Sequence, residues 1–380
     1  MATRSLGNSP ISPSPSPSGN RIANIPCCSA KPSSISFPHR HLFFPPNTGN
    51  AAEINKELSL SNSSSTIIPP SHKPSVVIVD EQDQAMVEKC VVRGQKHLRE
   101  LSSWGIGGPC SYFLEVSRPS HLVSAIRYCK ARSIPFLIVG KGSNCLFEDR
   151  GFDGFVMLNR LEHSAVEVVE PGTYRVGSAF PFNRLGVRCS SEGFSGLEFA
   201  GGIPGTVGGA TFMNAGANGQ ETGDVIESVE IVTMDGELRV LGRSELDFGY
   251  RWSSFQAMDN LAAILAVTFR LSPAPSARDR QKAFLERRRK TQPVGERSAG
   301  SVFRNPLGAG ISAGELIELA GLKGFAMGGA KVSEVHANFF INFNGSTSGD
   351  MLALINFVKE RVDQMFGIQL KEEIRYVPYE

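Results

Sequence analysis

The chain has 380 residues, 41% of them hydrophobic and 20% charged, the balance of a globular protein with room for more than one core. No apolar run reaches the ~18 residues that a membrane-spanning helix needs, so an integral membrane protein is not expected. The formal charge of +2 comes from the N-terminal stretch: residues 1–75 hold six Lys/Arg and two Asp/Glu, leaving 33 basic and 35 acidic residues beyond it. That body lacks the basic excess a nucleic-acid binder requires.

Residues 1–52 contain no Asp or Glu, ten Ser and nine Pro, with Arg4, Arg21, Lys31 and Arg40 as the only Lys/Arg. Such a stretch cannot bury enough apolar surface to offset its ordering entropy. Ser-rich, acid-poor composition describes an organelle transit peptide, and the abundant Pro favours the plastid over the mitochondrion. Residues 1–75 are therefore expected to be a disordered plastid-targeting segment, with the folded protein in the stroma. Beyond it, Cys90, Cys110, Cys129, Cys145 and Cys189 are odd in number and hold no C-x-x-C pair. They suggest neither a zinc site nor a disulfide framework, and a reducing compartment fits.

Along the folded body, Ser120–Arg132 has helical spacing, and Pro135–Val139 reads as a buried strand ending at Gly140. Short strands are expected at Phe155–Leu158, Ala165–Val169 and Tyr174–Gly177, and a helix at Pro181–Glu192. Ten of the 31 residues from Gly193 to Gly223 are Gly. A hairpin follows, Val225–Thr233 with Leu238–Leu241, then a strand at Leu261–Leu271 and a basic helix at Ser276–Lys290. From Ser298 the pattern changes to a Gly-rich turn, a helix at Ala313–Ala320, a strand near Phe339–Asn342, a helix at Ser348–Phe366 and a last strand near Glu372–Val377. Helices and strands mix without regular βαβ alternation, so the fold class expected is α+β.

Four segments carry chemistry. Gly140, Lys141, Gly142, Ser143, Asn144 and Cys145 follow an apolar strand, and the glycines let backbone N–H groups converge on an anion. This is neither a P-loop nor a dinucleotide fingerprint, and an ordinary turn is the alternative. Gly201, Gly202, Ile203, Pro204, Gly205, Thr206, Val207, Gly208 and Gly209, with Asn214, Ala215 and Gly216 beyond, form a second glycine run. So many glycines carry an entropic cost that close backbone approach to a large planar ligand with phosphates would justify. Tyr250-Arg251-Trp252 sets an Arg between aromatics, suited to a carboxylate or phosphate, or else stacked on Trp252 at the surface. Ser301 lies in Ser298–Pro306 without a serine-hydrolase pattern; its hydroxyl is a candidate proton donor or a turn residue.

Together these segments resemble the MurB family, the UDP-N-acetylenolpyruvoylglucosamine reductases or UDP-N-acetylmuramate dehydrogenases. The resemblance rests on Ile106-Gly107-Gly108, residues 140–144, Gly151–Gly154, Gly196–Phe199, residues 201–210, Met213–Gly216, Tyr250-Arg251, residues 298–306, Ala320–Gly324, His336–Asn342 and Glu372–Arg375. It runs from about Leu98 to Tyr376. The 50-residue interval from Arg251 to Ser301 leaves no room for a substrate-covering insertion, so the chain resembles the shorter, second type. Departures from the family pattern are Ser102–Gly105, Ala217-Asn218-Gly219 and Lys371.

The resemblance implies a vanillyl-alcohol-oxidase-type FAD-binding α+β domain at 76–274, in two parts divided near residue 160. A basic linker helix at 275–297 and a smaller α+β substrate domain at 298–380 would follow. It implies a monomeric enzyme with non-covalent FAD on the two glycine loops and NADPH as reductant. The substrate implied is the enolpyruvyl ether of UDP-N-acetylglucosamine, and no metal is needed. Hydride from the flavin would place an enolate-like charge on the substrate carboxylate, met by Arg251 with Glu373, and Ser301 would supply the proton. Tyr250, Asn305, Lys323 and His336 would lie near the UDP-sugar. A non-catalytic FAD or nucleotide-sugar binding protein and a sugar-lactone oxidase of the same fold are the alternatives.

Overall fold

The computed structural model describes residues 75–77, 79–161 and 166–379. Residues 1–74 of the expected transit segment lie outside the described residues, and Ser75, its last residue, begins a strand. Helices are α1 (Glu81–Cys90), α2 (Pro119–Ala131), α3 (Phe182–Ser191), α4 (Val207–Met213), α5 (Ala277–Thr291), α6 (Ala313–Leu319) and α7 (Ser348–Phe366). Among the described residues no helix is long and apolar enough to cross a membrane.

Three sheets organise these helices. The first has four strands in the order Val92–Arg93, Cys110–Val116, Phe152–Asn159 and Phe136–Val139, the last three mutually parallel. Parallel strands need a crossover, and α2 supplies it between Cys110–Val116 and Phe136–Val139, which flank Phe152–Asn159. Pro119 opens α2, where the missing N–H costs nothing, and Leu122, Val123, Ala125, Ile126 and Cys129 are its buried face. The second sheet is antiparallel with six strands, in the order Ser75–Val76, Glu237–Gly242, Ile226–Thr233, Leu261–Arg270, Thr173–Gly177 and Val166–Glu170. The expected hairpin supplies its second and third strands.

The third sheet orders Ser298–Ser301, Phe339–Asn342, Ala330–Val332 and Ala326–Met327, all antiparallel. Helix α7 covers it with Met351, Leu354, Ile355, Val358 and Val362. Thr347 and Asp350 close a reciprocal capping box at its start, and Gly367, at φ 65°, ends it. The chain then leaves this sheet: Arg375–Val377 pairs in parallel with Cys145–Phe147, directly after the first glycine loop.

The cores interlock. Trp104, Ile106 and Leu146 belong to the hydrophobic cluster under α6 and α7, although they precede those helices by more than 160 residues. Val232, Met234, Ala262, Ala263 and Leu265 pack with α2 and the parallel sheet. Trp104 is fully buried; its indole Nε1–H donates to the Phe340 carbonyl at 2.7 Å, and its own carbonyl accepts from Asn342 Nδ2 at 2.9 Å. Trp104→Phe keeps most of the packing but removes the indole donor to the Phe340 carbonyl. It is expected to lower stability by about 1–3 kcal/mol, read from the urea midpoint; an unchanged midpoint would remove this contact from the account.

Candidate active site

The two glycine loops meet each other. Gly142 sits at φ +56°, and a Cβ there would stand 1.9 Å from the Leu101 carbonyl oxygen. A Cβ on Gly140 would come within 2.7 Å of Thr206 Oγ1, and one on Gly205 within 3.1 Å of Ser143 Oγ. The Ser143 hydroxyl donates to the Pro204 carbonyl at 3.4 Å. The Leu101 backbone thus demands glycine at 142, while Gly140 and Gly205 make room for the Thr206 and Ser143 side chains of the opposite loop. Thr206 caps α4 by accepting from Gly209 N–H at 3.3 Å. Beside Gly142, whose carbonyl accepts from Ser103 N–H at 3.3 Å, the buried Ser103 hydroxyl has no partner among the described residues. An unpaired hydroxyl next to a glycine loop fits a phosphate-bearing cofactor that would satisfy it. Cys145, directly after the loop, has its thiol pushed up to about 11 by burial.

Helix α4 hands the chain to Asn214, in the left-handed conformation at φ 44°. Its side chain is committed inside the protein: Nδ2 donates to Glu221 Oε2 at 2.7 Å and to the Gly249 carbonyl at 2.8 Å, and Oδ1 accepts from Gly223 N–H at 2.8 Å. Asn214 therefore positions the hairpin of Phe248–Gly249 and Trp252–Ser253, at whose turn Arg251 sits. Ser253 Oγ and Gln256 Nε2 both donate to the Phe212 carbonyl at the end of α4, at 2.6 and 2.9 Å. Arg251 itself has φ +55°, an uncommon conformation for a non-glycine residue that the surrounding contacts must enforce.

Those contacts explain the conformation. Arg251 Nε donates to Glu373 Oε1 at 2.7 Å and Nη2 to the Gly216 carbonyl at 2.8 Å, while Nη1 lies 3.8 Å from Glu221 Oε1. The guanidinium lies 4.9 Å from the centre of the Tyr250 ring, not on Trp252, which is exposed. Both members of the Arg251–Glu373 pair are mostly buried, with side chains 16% and 17% exposed. Burial pushes the Glu373 carboxyl up from its usual value, and the charges of Arg251 and Arg304 oppose that rise.

Glu373 is held by its backbone as well. Its N–H donates to the Val302 carbonyl at 2.7 Å, and its carbonyl accepts from Asn144 Nδ2 at 3.1 Å. The Asn144 carbonyl in turn accepts from Arg375 N–H at 2.8 Å. So Asn144 of the first loop, Gly216 beyond the second, Arg251, Glu373 and the residue after Ser301 converge, although they span the chain. Ser301 ends a strand whose register slips between Ser298 and Ser301. Gly300 sits in that bulge at φ +79°, where a Cβ would meet nothing, so the glycine answers a backbone requirement. The Ser301 side is fixed by Asn338: its amide accepts from Phe303 N–H at 2.9 Å and donates to the Phe303 carbonyl at 2.8 Å.

The remaining expected residues spread outward. The Tyr250 hydroxyl accepts from Asn305 N–H at 3.1 Å, and Asn305 Oδ1 accepts from Ala313 N–H at the start of α6. Lys323 pairs with Glu318 at 2.7 Å. His336 is half-buried, with Nδ1 accepting from Asn338 N–H at 3.2 Å, and burial lowers its pKa. Sequence reasoning missed Glu221, Asn338 and Arg304, whose Nε is buried without a partner among the described residues. Asn338 stands inside the His336–Asn342 motif, and that was its only signal.

Residues 110–242 match an FAD binding domain, so the fold and its two loops define an FAD-binding α+β protein. Residues 292–377 match the C-terminal domain of UDP-N-acetylenolpyruvoylglucosamine reductase. The protein of that name from Protochlamydia amoebophila is 49% identical over 283 residues, 74% of this chain and 93% of that protein. That from Chlamydia abortus is 47% identical over 289 residues, 76% of this chain and 95% of that protein. The crystal structure of UDP-N-acetylenolpyruvylglucosamine reductase from Thermus caldophilus superposes with a TM-score of 0.63 at 32% identity, covering 76% of this chain and 98% of that one. The chain belongs to the UDP-N-acetylenolpyruvoylglucosamine reductase family.

Glycines of the two loops differ in what a side chain would disturb. Gly142→Ala puts a methyl into backbone and is expected to cost both stability and flavin. Gly209→Ala meets only Thr206 Oγ1, at 3.4 Å, and is expected to fold while holding flavin less tightly. Flavin released into the supernatant on acid precipitation, set against the thermal midpoint, checks this. Colour retained in the pellet would contradict non-covalent attachment.

Proposed function

We propose that this chain is an NADPH-dependent flavoenzyme that reduces UDP-N-acetylglucosamine enolpyruvate to UDP-N-acetylmuramate, a step of peptidoglycan precursor synthesis. The observation that carries the reading is the convergence of Arg251, Glu373 and the Ser301 segment on the first glycine loop. Residues 140–145, 201–209 and 214–216 would hold FAD, which would supply hydride-transfer chemistry between NADPH and the substrate.

The protein's own groups manage charge and proton. Arrival of hydride at the vinyl terminus leaves enolate-like charge on the substrate carboxylate, which needs a positive partner in a site of low polarity. Arg251 is fixed for that role: its Nε and Nη2 are held by Glu373 and Gly216, so the cation cannot drift with solvent. Glu373, with its carboxyl raised by burial, limits the net charge there and helps orient Arg251. Ser301 donates the proton to the adjacent carbon; a hydroxyl is a weak acid, and the enolate is basic enough to take it. Tyr250, Asn305, Lys323 and His336 orient the UDP-sugar.

Ser301→Ala is expected to separate the half-reactions. Flavin bleaching by NADPH requires no proton from Ser301 and should stay near wild type. Recolouring by the enolpyruvyl substrate should slow by about 10²-fold or more, the scale of a positioned acid. Stopped-flow absorbance reads both; equal slowing of the two steps would make Ser301 a structural residue.

We further propose that the protein works in the plastid stroma, a reading supported by the 52 acid-free N-terminal residues. Residues 1–75 fused to a fluorescent protein should direct it into plastids; fluorescence confined to the cytosol would overturn the reading.

A further inference from the structure

Beyond Ser301 the chain pairs with its own last segment, and this pairing sets one more cation beside the Arg251–Glu373 pair. Phe303 and Glu372 form an antiparallel bridge. It is closed by Glu373 N–H donating to the Val302 carbonyl at 2.7 Å and Arg304 N–H to the Lys371 carbonyl at 2.9 Å. Phe303 and Glu372 therefore share one face of this short ladder, and Arg304 shares the other with Glu373, its diagonal neighbour. Diagonal neighbours stand about 7–8 Å apart, within reach of a long side chain. A second contact agrees with this placement. The Tyr250 hydroxyl accepts from Asn305 N–H at 3.1 Å, and the Tyr250 ring centre lies 4.9 Å from the Arg251 guanidinium. Residues 250–251 and 304–305 thus lie side by side, and Arg304 is fixed next to the ion pair from two directions.

Arg304 has not spent its donors. Its Nε is buried without a hydrogen-bond partner, and no ion pair engages the guanidinium among the described residues. A charged donor left buried and unpaired is costly, and the cost is recovered when an acceptor arrives. Arg251 has less to offer. Its Nε and Nη2 are held by Glu373 and the Gly216 carbonyl, so among the described residues only Nη1 is without a hydrogen bond. Its charge is offset by Glu373, and Glu221 Oε1 stands 3.8 Å from Nη1. Arg375, two residues after Glu373, lies over the Phe212 ring, 5.5 Å from its centre. An incoming carboxylate brings two oxygens and a full negative charge. The Arg251–Glu373 pair supplies one open nitrogen and no net charge.

We infer that Arg304 is the second cation of the site and binds the carboxylate of the enolpyruvyl group together with Arg251 Nη1. The inference deepens the reductase reading and rests on it. Phosphate oxygens of the UDP-sugar would offer a guanidinium similar chemistry. The place of Arg304, diagonal to Glu373 and three residues after Ser301, favours the carboxylate, which adjoins the carbon that receives the proton. Because enolate-like charge gathers on the carboxylate oxygens, Arg304 holds them more strongly as the reaction proceeds.

The test uses the flavin-loaded full chain as wild type, Arg304→Met and Arg304→Lys. Flavin spectral titration with UDP-N-acetylmuramate, which carries the carboxylate, is compared with UDP-N-acetylglucosamine, which carries the same diphosphate without it. Arg304→Met is expected to weaken the first about tenfold or more and leave the second within about twofold, with partial recovery in Arg304→Lys, a point charge without the planar fork. The limiting rate of recolouring by the enolpyruvyl substrate should also fall about tenfold, because the charge grows in that step.

Unchanged affinity of Arg304→Met for UDP-N-acetylmuramate would make Arg304 a structural residue, and equal losses for both ligands would put it on the diphosphate. Either result overturns the inference. If Arg304→Met loses its flavin, phenylglyoxal modification of the wild-type protein decides. UDP-N-acetylmuramate should protect Arg304 from the reagent better than UDP-N-acetylglucosamine does, and equal modification with the two ligands would overturn the inference. Failure of the wild type to recolour on the enolpyruvyl substrate would instead strike the reductase reading, while the two titrations need no turnover and would still judge Arg304.

Discussion

The Arg251–Glu373 ion pair is the constraint on which the candidate site depends. A guanidinium this far from solvent needs an anion and further acceptors, and it finds Glu373, the Gly216 carbonyl and, more distantly, Glu221. Each partner is itself tied elsewhere. Asn214 holds Glu221 and the hairpin that carries Arg251, while Asn144 and Val302 hold the backbone of Glu373. One short contact therefore registers the first glycine loop, the region after α4 and the chain's last segment against one another. The positive φ of Arg251 is maintained by this network.

The interlocked cores serve the same end. Trp104 lies in the α6–α7 core, and Arg375–Val377 adds to Cys145–Phe147. The segment that brings Ser301 and Glu373 is thus joined to the part that carries the first glycine loop at two places. A positioned acid is useful only if the distance to the reacting carbon is fixed. Two attachments restrict that distance better than a single linker helix would.

Much of this was legible in the sequence where a local rule determines the outcome. Apolar spacing located α2, and α7 runs Ser348–Phe366 as expected. The glycine runs identified both loops, and motif order indicated the family. What escaped had no local signature. Helix α1 buries only Val87, so it shows little periodicity. Strands of two or three residues, such as Cys145–Phe147, are defined by partners far away in the chain. Asn214 is marked in the sequence only by the glycines around it, and the fold alone shows that its amide reaches Glu221, Gly249 and Gly223. The pairing of Arg251 with Glu373 spans 122 residues, and only the fold reveals it.

The central claim is that this site carries reducing equivalents from NADPH to an enolpyruvyl UDP-sugar. An anaerobic cuvette tests it directly. Oxidised wild-type protein is mixed with one equivalent of NADPH, and UDP-N-acetylglucosamine enolpyruvate is then added while the flavin band is followed. The account predicts bleaching, then full recolouring with UDP-N-acetylmuramate formed in step with the flavin reoxidised. Bleached protein that recolours only when oxygen is admitted would contradict it.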